Sequence, residues 1–158
     1  MKINRLLLPL GKEVNYHEDI NLNYYQGDKY HVKNIKSCHM DLNIVNYDSL
    51  ITLHFDIKGE VLTTCSYTLE EFLYPYHIKQ DIEINEDEND EFDIIDNNID
   101  IDEMLITLII SHIPFKLVKP GAKLPSDGEG YRVLSEEDAL KEKKKNPAFD
   151  ILDELEFD

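Results

Sequence analysis

The chain has 158 residues, 42% of them hydrophobic, which is enough for one domain with a buried core and argues against wholesale disorder. Its net charge of −17 opposes extensive contact with phosphate backbones, which bind Lys and Arg through counterion release. No apolar run approaches the roughly 20 residues of a membrane span, and the opening "MKINRLLLPLGKEVNY" lacks a small-residue cleavage site.

In chain order, a first strand is expected near residues 2–8. Residues 38–44 alternate, with Cys38, Met40, Leu42 and Ile44 on one side and His39, Asp41 and Asn43 on the other. "NYDS" at 46–49 has turn chemistry. The alternation then restarts with Ile51, Leu53, Phe55 and Ile57 inward and Thr52, His54, Asp56 and Lys58 outward. Gly59 interrupts as a bulge or a close backbone approach, and Val61, Thr63 and Cys65 keep the inward parity. The strand ends at a turn marked by Pro75, after which Ile78, Ile82 and Ile84 form another run. The pattern predicts a meander of four or five antiparallel strands.

The charge is unevenly spread: residues 81–103 hold 12 acidic and no basic side chains. Within them, 85–98 reads as an acidic loop with too little apolar surface to bury. "DIDEMLITLIISHIP" then gives a helix, with Asp100 and Glu103 as a capping box and Ile101, Met104, Leu105, Leu108, Ile109 and His112 at helical spacing. Pro114 ends it. Residues 115–134 hold three glycines and two prolines and read as irregular backbone, while Ser135 caps a short acidic helical tail. The fold class is thus α+β: an antiparallel meander or partly closed sheet packed by one buried helix. One domain spans 1–134, and a helical tail spans 135–158.

Catalytic constellations are missing. Cys65 on the inward parity favours a buried, inert thiol, with no adjacent base and no second Cys or His at metal-knuckle spacing. A Cys38–Cys65 disulfide is not expected in a reducing cytoplasm, which two cysteines without an export signal suggest. The six histidines are scattered, with no i, i+4 pair on a helix. "DENDEFDIIDNN" lacks the central Gly and closing Glu of a calcium loop, and "GAKLPS" and "GEGYR" are not phosphate-cradling loops. No catalytic residue, metal ligand, cofactor or small-molecule substrate is inferred.

Four segments carry a resemblance. "GEVLTTCSYTLEEFLYP" (Gly59, Cys65, Ser66, Leu69, Pro75) is similar to a signature of Gly, a strand, Cys, two variable residues, Thr or Cys, then Leu, closing on an aromatic and a proline. "IDIDEMLITLIISHIP" (Asp100, Pro114) is similar to a helix that closes Leu-x-Ile-Pro. "LPSDGEGYRVLSEED" (Gly130, Tyr131, Glu136) and "NPAFDILDEL" (Pro147, Leu152) resemble a Gly-aromatic-x-Val-x-Ser-Glu-Glu segment and a closing motif. In that order they resemble the YceD-like proteins, the large ribosomal RNA subunit accumulation family, over roughly residues 50–155. Many members carry a cysteine cluster after the helix; this chain has none there and resembles a cysteine-free branch with Gly-Trp at the Gly130-Tyr131 position. Tyr67 stands where the family usually has Arg, and Ala148-Phe149 replaces Arg-Leu.

The resemblance implies a cytoplasmic, non-enzymatic factor in large-subunit ribosomal RNA accumulation. The charge map adds a partner: a basic ribosomal protein or assembly factor, met by Tyr67, Glu70, Glu71, Glu86, Asp87, Glu88, Asp90 and Glu91. The alternative is direct ribosomal-RNA binding through residues 116–145, which hold eight of the sixteen cations.

Overall fold

The computed structural model describes residues 1–27, 31–85, 94 and 96–142. The chain divides into two compact units, Met1–Lys119 and Pro120–Asp158.

The first unit is built on a four-stranded antiparallel meander of β2 (Glu13–Asp19), β3 (Val32–Asn46), β4 (Leu50–Thr64) and β5 (Glu71–Asn85), hydrogen-bonded in that order. β1 (Lys2–Asn4) pairs instead with β6 (Asn98–Asp100) in a separate two-stranded sheet. The strand expected over 2–8 is therefore short, because Arg5–Leu7 wind into a 3₁₀ turn capped by the Asn4 side chain. Among the described residues the meander ends in two edges, β2 and β5, and does not close.

Period-two patterning decides which face is buried. Cys38, Met40, Leu42 and Ile44 on β3 and Ile51, Leu53, Phe55, Ile57 and Val61 on β4 all turn inward, at 3% exposure or less. The β3–β4 turn follows from Asn46, whose Oδ1 accepts the Asp48 amide at 3.0 Å. β3 starts six residues earlier than the alternation indicates. Val32, Ile35 and Cys38 are spaced by three, and register shifts between Val32 and Asn34 and between Ile35 and Ser37 absorb the extra residues, Lys33 and Lys36. Each bulge restores the inward parity of the next apolar residue, so Val32 and Ile35 are buried.

Pro75 marks no turn. It lies inside β5, opposite Glu60, on an edge strand, where a missing N–H is tolerated. The reversal occurs earlier, at residues 65–70.

Helix α1 (Ile101–His112) begins where Asp100 Oδ1 accepts the Glu103 amide at 3.3 Å and ends as the Ile113 amide bonds back to Ile109 O. Ile101, Met104, Leu105, Leu108 and Ile109 form its buried stripe. In the second unit, Gly128 and Tyr131 form an antiparallel bridge around Gly130, whose φ of 86° favours glycine. α2 (Glu136–Glu142) follows, with Ser135 Oγ accepting the Asp138 amide at 3.1 Å.

Candidate functional site

The turn between β4 and β5 is the best-defined landmark. The Cys65 amide donates to Glu70 O at 2.8 Å and the Leu69 amide to Cys65 O at 2.9 Å, which places Leu69 at a φ of 59° with its side chain 78% exposed. The stretch that follows α1 locks onto this turn. Ser66 N–H donates to Leu117 O at 2.7 Å, Lys119 N–H donates to Cys65 Sγ at 3.4 Å, and Lys119 Nζ pairs with Glu70 at 3.2 Å. Two sequence segments fifty residues apart thus form one structural unit.

Cys65 is fully buried, as its strand parity predicts, and both cysteines are free. Burial raises its pKa, but hydrogen bonds from the Thr68 side chain and from the Lys119, Thr68 and Tyr67 backbone outweigh burial and lower it to about 7. Cys38 differs: burial is the main cause that pushes its thiol up to about 11. The Cys65 sulfur therefore sits in a small nest of donors and organises the turn. Glu70 and Glu71, expected to face a partner, are each paired internally, with Lys119 and with Lys33 at 2.7 Å. Ser66 is exposed and Tyr67 half-buried.

Gly59 resolves as a close approach. A Cβ there would stand 2.0 Å from Ser37 O and 2.7 Å from the Tyr76 hydroxyl. Asp100 caps α1 and Pro114 follows its end. Gly130, Tyr131 and Glu136 lie in the second unit. Glu86, Asp87, Glu88, Asp90, Glu91, Pro147 and Leu152 fall outside the described residues.

The outer face of the meander carries a cluster that no sequence motif marks. Four of the six histidines, apparently scattered, gather there, each beside a carboxylate on the neighbouring strand: His17 with Asp41 at 2.6 Å, His39 with Asp19 at 2.9 Å, His54 with Asp81 at 2.8 Å and His77 with Asp56 at 2.7 Å. Asp56 also meets Lys79 and Lys58, and these hydrogen bonds, Lys79 first, hold it down at about 2. His17 draws Asp41 below the ordinary carboxylate range. The outward parity of His39, Asp41, His54, Asp56 and Lys58 was visible in the sequence. The register that pairs them across strands was not. Among the described residues, no three His, Cys, Asp or Glu side chains are arranged to hold a metal, and no helix is long and apolar enough to cross a membrane.

These features define an α+β protein whose sequence landmarks shape a turn, a glycine contact and a helix cap. Residues 53–156 match the family described as Large ribosomal RNA subunit accumulation protein YceD, and the chain belongs to that family. It is also similar to the uncharacterized protein YlbN of Bacillus subtilis (strain 168), 31% identical over 116 residues covering 66% of each chain. No solved structure matches.

Proposed function

We propose that the chain is a non-enzymatic factor in the accumulation of large-subunit ribosomal RNA, acting in the cytoplasm through contacts with a basic ribosomal protein or assembly factor. The observation that carries this reading is the family match across residues 53–156. The net charge of −17, concentrated in residues 81–103, supports a basic protein partner by steering and complementarity. The described landmark side chains serve the fold: the Cys65 sulfur accepts backbone hydrogen bonds, and Glu70 and Glu71 are held by lysines. Contact with the partner therefore falls on the acidic run more than on this turn.

The test is a pull-down from lysate at moderate salt with the wild-type chain and with a variant in which Asp and Glu of residues 81–103 become Asn and Gln, sparing the cap Asp100 and its neighbours Asp102 and Glu103. Large-subunit proteins or assembly intermediates should be recovered by the wild type and lost from the variant. Equal recovery by both removes the electrostatic contact. Recovery that depends on intact RNA favours the alternative, ribosomal-RNA binding through residues 116–145.

A further inference from the structure

An edge strand leaves one row of backbone groups without a ladder partner, and another chain can pair with that row. The meander has two such edges, β2 of seven residues and β5 of fifteen. Along an antiparallel strand, successive residues point their N–H and C=O groups to alternate sides. The Cys65 amide donates to Glu70 O, so odd-numbered residues of β4 face β5 and even-numbered residues of β5 face β4. Two bonds on the other side of β4 agree. Leu50 O accepts the Tyr47 amide, and the Glu60 amide donates to Ser37 Oγ at 3.0 Å, so even-numbered β4 residues face β3. The β4–β5 register runs from Thr64–Glu71 to Leu50–Asn85 without a bulge. Odd-numbered residues of β5 therefore turn their backbone groups away from β4.

Pro75 is one of these and has no N–H to offer, which interrupts the free row in the first half of the strand. From His77 to Glu83 the row is continuous, with free N–H groups on His77, Lys79, Asp81 and Glu83. Among the described residues, no backbone group of another element bonds to it, and Asp81 O is met by the Gln80 side chain of β5 itself.

We infer that β5 takes an extended basic segment of a partner protein as a fifth strand along His77–Glu83. The added strand rests on the basic partner of the proposed function and gives that partner its shape. Main-chain bonds supply the affinity in this mode of recognition, and side chains select the occupant. Charge makes the selection here. The exposed Asp81 and Glu83 open the stretch 81–103, which holds 12 acidic and no basic side chains, so lysines or arginines of a seated strand enter that field. His77 and Lys79, the cations of the edge, are already held by Asp56 at 2.7 and 3.1 Å. A second copy of this chain would set β5 against β5 and bring two acidic stretches together, each in a chain of net charge −17.

The probe is a synthetic peptide of about ten residues that alternates Lys and Val. Its control carries as many lysines separated by pairs of prolines, which leave no run of N–H groups on either side. Amide exchange of the full chain is read residue by residue by NMR. With the Lys–Val peptide at about ten times its dissociation constant, the His77, Lys79, Asp81 and Glu83 amides should exchange about tenfold more slowly. The proline peptide should leave them unchanged. Lys79→Pro should abolish the protection at His77, Asp81 and Glu83, whereas Lys79→Ala, which removes the same charge and keeps the N–H, should retain it. The peptide comparison uses the wild type alone, so it decides the matter even where Lys79→Pro fails to fold. Equal affinity for both peptides without protection along 77–83 overturns the added strand and leaves the basic partner standing. Binding of neither peptide also overturns it, as does protection that grows with the concentration of the chain alone, the mark of a second copy. Loss of recovery from lysate by the wild type would instead overturn the proposed function itself.

Discussion

Tyr76 stands directly opposite Gly59 across the β4–β5 ladder, and its hydroxyl passes over the glycine to donate to Ser37 O on β3 at 2.9 Å. One side chain on the edge strand thereby reaches across β4 to the bulged part of β3, and only a residue without Cβ leaves it room.

Gly59→Ala should therefore destabilise the fold. The new Cβ meets a backbone carbonyl at 2.0 Å, and crowding of that kind costs about 1–3 kcal/mol. Urea unfolding measures it; an unchanged midpoint would show that the strands separate without penalty.

Tyr76→Phe keeps the ring and removes the bond to Ser37 O. A buried group left without its partner costs about 1–3 kcal/mol, so the same measurement should find a loss. Burial holds the Tyr76 hydroxyl well above the ordinary tyrosine range, so no change in its charge state contributes near neutral pH.

Cys65 should titrate with a midpoint of about 7 in the folded chain, whereas Cys38 stays a thiol up to about 11. Because the Cys65 pKa is lowered on folding, its contribution to stability is complete above the unfolded thiol value of about 8.5 and is lost as pH falls through about 7. Thiolate ultraviolet absorbance should show this step in the wild type and lack it in Cys65→Ser. A single step near the ordinary thiol value would refute the donor nest.

Asp56 gives the acid counterpart. Its folded pKa of about 2 lies below the ordinary carboxylate value, so the stability it contributes is present above about pH 4 and disappears as pH falls toward 2. Urea midpoints followed from pH 5 to pH 2 should decline less in Asp56→Asn than in the wild type. Parallel declines would mean that Lys79, His77 and Lys58 do not stabilise the carboxylate in solution.

Where apolar spacing was strictly two, as from Cys38 to Ile44 and from Ile51 to Ile57, faces and strands were legible in the sequence. The helix was equally clear, since Asp100 and Glu103 mark its start and Pro114 its end. Val32 and Ile35 escaped because two bulges convert period two into period three. β2 escaped because Val14 and Tyr16 are its only apolar residues and both remain partly exposed. Pro75 was misread as a stop because edge position, which makes it tolerable, is a property of the sheet. The histidine face depended on cross-strand register, which no single strand encodes.

In the proposed function, the chain supports accumulation of large-subunit ribosomal RNA through its acidic run. The most direct measurement is the ratio of large- to small-subunit ribosomal RNA in a deletion strain carrying either the wild-type gene or the variant neutralised at residues 81–103 outside the Asp100 cap, with both proteins at equal levels. The predicted result is a low ratio in the deletion, restored by the wild type and not by the variant. A normal ratio in the deletion would contradict the function, and full restoration by the variant would contradict the role of the acidic run.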